Sequence, residues 1–217
     1  ALQRYREMQD FQNSKDRPYI HLVDGGVSDN IGVRGVLEAL EELAASSAFR
    51  QQVGFGGYRL LLLLSNTHTA RARSSEGEVF FRSAASAGAL YPTEIYMASR
   101  EVKGIDNGLY HFAIQNHSLD PLRKGDVLGL AQGEGGYLTF FLTAIFFRSA
   151  WKYRARAYRY HLLDTGHVAD NLILALKASK LPFSVTYDFN DGEVNRLLGL
   201  DDQKEVALAI IDVPGGS

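Results

Sequence analysis

A long, mostly apolar helical segment constrains the fold more than any other feature of the sequence. The residues from Tyr158 to Ser179 predict one helix that has too few polar positions for a surface helix. A helix of this kind is either central to the fold or covered by a second subunit. Both placements remain open from this segment alone.

The strands that the sequence predicts do not alternate regularly with helices. The most apolar of them, Leu138 to Phe147, precedes the long helical segment, and a short helix is predicted from Gly192 to Leu198. A polar loop is expected from Ser65 to Gly77. The other predicted strands are Tyr19–Val23, Leu60–Leu64, Ile95–Ser99, Gly108–Ile114, Phe183–Phe189 and Val206–Val213, and Gly35–Phe49 is predicted to be helical. This irregular order favours an α+β fold over a doubly wound parallel sheet.

The composition excludes several classes of protein. The chain has 217 residues, a formal net charge of -2 and no cysteine. It therefore carries no general nucleic-acid signal and no thiol or Cys-zinc chemistry, and it fits a reducing, cytoplasmic compartment. The longest aliphatic run, Leu60 to Leu64, is too short for a membrane span. His161, Asp164 and His167 spread too widely around a helix for one tight metal site, so no metal is expected.

The stretch FRSAASAGALYPTEIYMA, from Phe81 to Ala98, places small residues before a proline and an alternating apolar run. Glycine and alanine leave the backbone accessible, and proline fixes the direction in which the chain leaves. Two interpretations stay open at this point. Either a flat or charged ligand approaches this backbone closely, or the stretch is a tight loop packed under a helix.

A cluster of positive charges lies between Phe146 and His161. Its members are Arg148, Lys152, Arg154, Arg156 and Arg159, and no acidic residue lies among them. Mutual repulsion favours the neutral form of a lysine in such a cluster, and a desolvated lysine beside other cations can act as a base. Alternatively, carboxylates of a partner subunit neutralise the cluster, or its charge stabilises a reduced, anionic cofactor.

From about Thr67 to Val213 the chain resembles the SagB-type dehydrogenase domains of the nitroreductase-like flavoproteins. The matching blocks are RSAASAGALYPTEIY, GLYHF, FRSAWKYRARAYRYHLLDTGHVADNLILA and LLGL. The resemblance implies an α+β sandwich with a central apolar helix, a homodimer, and flavin mononucleotide (FMN) at the subunit interface. It also implies an oxidoreductase that converts thiazolines and oxazolines into thiazoles and oxazoles, with a small molecule or an azoline-containing peptide as substrate. The domain is expected to be incomplete at its N-terminus, because the family's usual Arg-x-Ser-x-Arg motif for the flavin phosphate is missing.

The same resemblance implies roles for individual residues. In the family, the segment that matches Ser86 to Tyr91 runs along the flavin ring, and a pair that matches Lys152 and Tyr153 is catalytic. The implied role of the pair is to remove a proton from the azoline carbon while hydride passes to flavin N5. The redox chemistry itself belongs to the cofactor. The residues expected to bind the cofactor are Arg71, Arg73, Arg82, Ser86, Ala87, Gly88, Ala89, Leu90, Tyr91, His167 and Asn171.

A second resemblance covers about residues 17–64. The stretch YIHLVDGGVSDNIGVRGVLEAL, from Tyr19 to Leu40, is similar to the late segment of bacterial patatin-like phospholipases, and Asp24 matches their D-G-G aspartate. The serine elbow of that family is absent, and Ser86 lacks the glycine that such an elbow needs. These resemblances predict a patatin-like strand-loop-helix fragment at residues 1–64 and an FMN domain at residues 65–217. The alternative functions are an inactive acyl hydrolase remnant and a flavin-free scaffold in a peptide-modifying complex.

Overall fold

The computed structural model describes residues 62, 65–66, 68–74, 77–102, 104–128 and 137–214, of which residues 68–74 and 77–80 are described by their backbone alone. The predictions made for residues 1–61, including Asp24, lie outside the described residues. Leu62 and Ser65 are helical, and the backbone N–H of Asn66 donates to the Leu62 carbonyl at 3.2 Å. The predicted strand from Leu60 to Leu64 is therefore wrong at Leu62.

A six-stranded antiparallel sheet forms the centre of the described structure. Its strands are β3 (Thr93–Arg100), β4 (Gly108–Ala113), β5 (Ser118–Lys124), β6 (Tyr137–Ile145), β7 (Ser184–Thr186) and β8 (Glu205–Pro214), in the spatial order β5-β4-β3-β6-β8-β7. A separate antiparallel hairpin consists of β1 (His68–Ser74) and β2 (Gly77–Arg82). β3 is buried along its whole length, because β4 and β6 pair with its two edges and side chains cover both of its faces.

Three α-helices flank this sheet in the described part of the chain. They are α1 (Phe147–Tyr153), α2 (Ala157–Ala178) and α3 (Asp191–Leu198). Successive residues of a strand point to opposite faces. Ile95 and Met97 therefore pack in one core with Leu172 of α2, whereas Tyr96 packs in the other core with Leu198 of α3. The sheet thus separates an α2 side from an α3 side, which confirms the α+β class.

Helix α2 matches the predicted helix to within one residue at each end, but only one of its faces is covered. Asp164, Thr165 and Leu172 are buried against the sheet side, whereas Leu162 and Leu163 are more than half exposed. The exposed face is apolar only near the start of the helix, because Arg159, His167, Asp170 and Lys177 are exposed as well. In the single chain, one face of α2 packs against the sheet and the other face is exposed to solvent.

Several predicted elements differ from the observed ones. The polar loop predicted from Ser65 to Gly77 contains strand β1, and the predicted strand ending at Phe147 stops at Ile145, where α1 follows. Strand β5 was not predicted, because it is a mostly exposed edge strand that contains Pro121 and shows no apolar alternation. No helix within the described residues is long and apolar enough to cross a membrane.

Candidate functional site

The segment from Ser86 to Tyr91, which joins β2 to β3, has an unusual backbone. Ala87–Ala89 form a short 3₁₀ turn, and Gly88, Ala89 and Tyr91 have φ angles of 65°, 53° and 48°. Glycine adopts this left-handed region freely, but alanine and tyrosine do so at a cost. Surrounding contacts must therefore hold the segment in place.

Asp164 of α2 holds the first part of this segment. The Ser86 hydroxyl donates to Asp164 Oδ2 at 2.6 Å, and the Ala87 N–H donates to Asp164 Oδ1 at 3.1 Å. The Ser86 oxygen in turn accepts the Tyr91 N–H at 2.8 Å. Both Ser86 and Asp164 are buried. One buried carboxylate is thus connected to both ends of the segment.

Arg148 of α1 holds the last residue of the segment. Its Nη1 atom donates to the Tyr91 carbonyl at 3.0 Å and also to Glu94, whose other oxygen accepts from His111 Nε2 at 2.8 Å. Burial alone would raise the pKa of Glu94, but the hydrogen bond from His111 and the charge of Arg148 outweigh burial and lower it. Glu94 is therefore ionised at neutral pH and fixes the Arg148 side chain.

Lys152 and Tyr153 stand over Gly88. A Cβ atom built on Gly88 would lie 2.5 Å from Lys152 Nζ and 2.6 Å from Tyr153 Oη. Both side chains come from the last turn of α1, and the ring of Tyr153 packs against that of Tyr160 at 4.4 Å between centroids. The structure therefore brings the predicted Lys-Tyr pair onto the predicted cofactor segment. Lys152 is exposed in the single chain, so the desolvation expected for a lysine base is not provided by this chain alone.

Arg82 lies beside the segment, next to Tyr91. Its guanidinium carbon lies 5.0 Å from the centroid of the Tyr91 ring, and its backbone N–H donates to Tyr91 Oη at 3.1 Å. Its Nη1 atom and both amide atoms of Asn66 are buried without a hydrogen-bond partner, and both residues line one cavity of about 10 Å³. Burial lowers the pKa of Arg82. A cavity of this size holds about one water molecule, which is too little for a phosphate group.

The other residues that the sequence predicts to bind the cofactor lie in β1, in α2 and in the Ser86–Tyr91 segment itself. Arg71 and Arg73 lie in β1, where only the backbone is described. His167 is exposed on α2, and Asn171 donates from Nδ2 to the Ser65 carbonyl at 3.3 Å. Ala87, Gly88, Ala89 and Leu90 are partly exposed, so this stretch of backbone lies at the surface beside the Lys-Tyr pair.

Sequence reasoning missed Asp164, Glu94 and His111 as parts of this arrangement. The cation cluster contains no acid within its own stretch, but Arg148 pairs with Glu94 of β3, 54 residues away in the chain. In the sequence, Asp164 stands out only beside His161 and His167, as a candidate metal ligand. Within the residues that the structure describes, no group of three or more His, Asp or Glu side chains is arranged to hold a metal.

A second cleft of about 540 Å³ opens on the α3 side of the sheet. Glu94, His111 and Arg148 form one wall, and Glu205 accepts a hydrogen bond from the Tyr96 hydroxyl at 3.2 Å. Burial and the nearby Glu205 raise the pKa of Tyr96, so its phenol stays protonated. The Glu94–Arg148 pair therefore stands between this cleft and the Ser86–Tyr91 segment.

An α+β fold with one long helix against the sheet is the fold that the sequence resemblance predicted for a flavoprotein of the nitroreductase type. The sequence model described as "Nitroreductase family" matches residues 35–213, and the chain belongs to that family. The match begins inside the segment assigned to a patatin-like fragment, for which these comparisons give no support. The domain boundary at residue 64 stays a prediction.

Two curated relatives are named as processing proteins. The trifolitoxin-processing protein TfxB of Rhizobium leguminosarum bv. trifolii is 30% identical over 167 residues, which are 69% of this chain and 45% of that protein. The microcin B17-processing protein McbC of Escherichia coli is 27% identical over 143 residues, which are 60% of this chain and 52% of that protein. The chain thus spans about half the length of these two relatives.

Two solved structures share the fold. A candidate nitroreductase from Anabaena variabilis is 35% identical with a TM-score of 0.66, and the match covers 75% of this chain and 35% of that one. The Escherichia coli microcin synthetase McbBCD complex with truncated pro-MccB17 bound contains a chain that is 23% identical with a TM-score of 0.59. That match covers 76% of this chain and 64% of the other, and at this identity it supports the fold alone.

Proposed function

We propose that the chain is an FMN-dependent oxidoreductase that converts azoline rings of a peptide into azoles. The observation that carries the proposal is the placement of Lys152 and Tyr153 over Gly88, beside the accessible backbone of the held segment. The names of the trifolitoxin-processing and microcin B17-processing relatives support a peptide substrate for this chain.

The residues of the segment fit a flat cofactor. Ala87, Gly88 and Ala89 carry the smallest side chains, they are partly exposed, and Gly88 has no room for a Cβ atom beneath the Lys-Tyr pair. A planar ring can approach backbone N–H and C=O groups only where side chains do not hold it away. The segment would hold the flavin ring, and Arg71 and Arg73 remain the proposed partners of its phosphate. When bound, FMN accepts the two electrons that the azoline ring loses as it becomes aromatic.

Lys152 is the proposed general base. Its amine would take the proton from the azoline ring carbon, and the Tyr153 hydroxyl, which lies beside the same position over Gly88, would orient the substrate or the amine. A lysine acts as a base only where water and counter-charges do not stabilise its ammonium form. Because Lys152 is exposed in the single chain, a bound substrate or a second subunit has to provide the missing cover.

A homodimer is the proposed assembly. Five large apolar side chains lie exposed along α1 and the start of α2, namely Phe147, Trp151, Tyr158, Leu162 and Leu163. They lie in α1, which carries Lys152, and in the first two turns of the long helix. Exposed apolar groups that form one continuous surface are typical of protein interfaces. An obligate interface of this kind buries about 2,000 Å² or more in total.

The test measures anaerobic flavin reduction by a synthetic peptide that carries one thiazoline ring. Lys152→Ala should still bind FMN but reduce it about 10²- to 10⁴-fold more slowly, and Tyr153→Phe should lose less, because its ring stays packed against Tyr160. Lys177→Ala, which removes an exposed lysine from the last turn of α2, is the matched control and should react at the normal rate. Equal rates for Lys152→Ala and the control would remove the lysine from the mechanism. A protein that stays colourless with excess FMN would refute the cofactor assignment.

A further inference from the structure

We propose that Asp164 is a positioning residue that holds the Ser86–Tyr91 segment in the backbone conformation to which FMN binds. This inference rests on the proposed function for its consequence but on the chain's own hydrogen bonds for its geometry. Asp164 is 4% exposed on the inner face of α2. It acts on the reaction only through the segment.

The two oxygens of Asp164 are used by the segment. Oδ2 accepts the Ser86 hydroxyl at 2.6 Å and Oδ1 accepts the Ala87 N–H at 3.1 Å. A buried carboxylate is costly unless donors surround it, and bonds to an ionised acceptor are stronger than neutral ones. The Asp164 carboxylate is therefore stabilised by the Ser86 and Ala87 donors, and in return it fixes their positions.

The bonds continue through Ser86 to the other end of the segment. A hydroxyl group has one proton, and Ser86 gives its proton to Asp164 while its oxygen accepts the Tyr91 N–H at 2.8 Å. The chain from Asp164 through Ser86 to Tyr91 thus closes a loop around Gly88. It also follows that the Ser86 side chain has no proton left to donate to a ligand. We call the hydrogen bonds that Asp164 makes to Ser86 and Ala87, together with the bond between Ser86 and the Tyr91 N–H, the bracket. Ser86 is expected to serve the cofactor through its backbone and through the bracket.

The conformation that the bracket holds is one the segment would not keep unaided. Ala89 and Tyr91 have φ angles of 53° and 48°, a region that residues with a Cβ atom rarely occupy. Release of the segment would let these residues return to ordinary angles. Gly88 would then move away from Lys152 and Tyr153, because its position depends on the residues on either side of it.

The first arm of the test uses the chain without any flavin. Amide hydrogen exchange followed by NMR reports the Ala87 and Tyr91 N–H groups separately from core amides such as that of Leu172. In Asp164→Asn, one carboxylate oxygen becomes an NH₂ group that cannot accept, so protection of Ala87 and Tyr91 should fall on the order of tenfold while Leu172 keeps its protection. Asp170→Asn, which changes an exposed acid on the same helix, should alter none of the three amides.

The second arm measures the FMN dissociation constant by quenching of flavin fluorescence. Asp164→Asn and Ser86→Ala should each weaken FMN binding, and the double variant should lose less than the sum of the two single losses, because both substitutions remove the hydrogen bond between Ser86 and Asp164. Ser86→Ala also keeps the inference testable if Asp164→Asn folds poorly. Additive losses in the double variant would contradict the bracket.

The two arms separate this inference from the proposed function. If Ala87 and Tyr91 lose protection but neither the wild type nor any variant binds FMN, the proposed function fails and the bracket stands. If Leu172 loses protection as much as the segment amides do, Asp164 is a general structural residue and the positioning role is refuted. Unchanged exchange at Ala87 and Tyr91 in Asp164→Asn refutes it as well, whatever the affinity for FMN.

Discussion

Gly88→Ala tests the geometry of the Lys-Tyr pair most directly. Gly88 combines a φ angle of 65° with a Cβ position that Lys152 Nζ and Tyr153 Oη already occupy, at 2.5 Å and 2.6 Å. A methyl group there meets two obstacles at once, since it strains the backbone and displaces the ends of two side chains. Both ends belong to long side chains that can move, so the clash is expected to change where they lie more than whether the protein folds.

The chain offers a control that separates the two effects. Gly199, which ends α3, has a φ angle of 75° but nothing within 4 Å of its Cβ position. Gly199→Ala therefore measures backbone strain alone, at about 1–2 kcal/mol for an L-residue in this region. Gly88→Ala should cost the same amount plus up to about 1 kcal/mol for off-rotamer side chains. A misplacement of reacting groups by about 1 Å can cost about 10²-fold in rate.

The assay combines urea unfolding with anaerobic flavin reduction by the thiazoline peptide. Gly88→Ala should lose up to about 1 kcal/mol more stability than Gly199→Ala, and only Gly88→Ala should lose a large part of its rate. The reasoning is refuted if Gly88→Ala matches Gly199→Ala in both measurements, because Lys152 and Tyr153 would then not lie over Gly88. A rate loss that is equal in the two variants would point to stability rather than to the site.

Two further predictions concern stability and assembly. Burial lowers the pKa of His161 in the folded protein. As the pH falls through about 6.5, His161 therefore binds a proton in the unfolded chain before it does so in the folded one. The free energy of unfolding should then fall by up to about 1.4 kcal/mol per pH unit. Urea midpoints from pH 7.5 to 5.5 should therefore fall in the wild type and fall less in His161→Gln; parallel curves would contradict this. Leu163→Glu, at a side chain that is 60% exposed, should give a monomer in sedimentation at micromolar concentration, whereas Lys177→Glu stays dimeric, and a dimeric Leu163→Glu would exclude this face.

The elements that could be predicted from the sequence are those in which local pattern and final environment agree. β3 and β6 are buried on both faces; β6 carries a long apolar run, β3 carries the shorter run from Ile95 to Ala98, and α2 carries apolar residues at helical spacing. α1 was missed because its first residue, Phe147, continues the apolar run of β6 without a turn signal. β5 was missed because its stability comes from pairing with β4, and edge pairing leaves no apolar pattern in a strand that is mostly exposed.

In the candidate site too, the features predicted from the sequence are local ones, and those that were missed depend on distant contacts. The small-residue segment and the Lys-Tyr pair are contiguous motifs, so a resemblance could identify them. Asp164 and Glu94 act on partners 78 and 54 residues away, and no local spacing predicts such contacts. One signal was available, since a carboxylate on the apolar side of a helix has to find buried donors. That signal predicts a buried donor for Asp164, but it does not distinguish the hydroxyl of Ser86 from the other donors in the chain.

Leu163 and Asp164 are consecutive residues of α2, about 100° apart around the helix axis, and they connect the proposed dimer face with the proposed FMN site. Asp164 points inward and holds the segment, whereas Leu163 points outward and is bare in the single chain. A second subunit packed on Leu163 would restrict the same turn of helix that carries Asp164. Coupling between two binding events is reciprocal, so a dimer that favours FMN must itself be favoured by FMN. The monomeric Leu163→Glu chain should therefore bind FMN more weakly than the wild type, although its substitution lies at an exposed position of α2 and not at the buried Asp164.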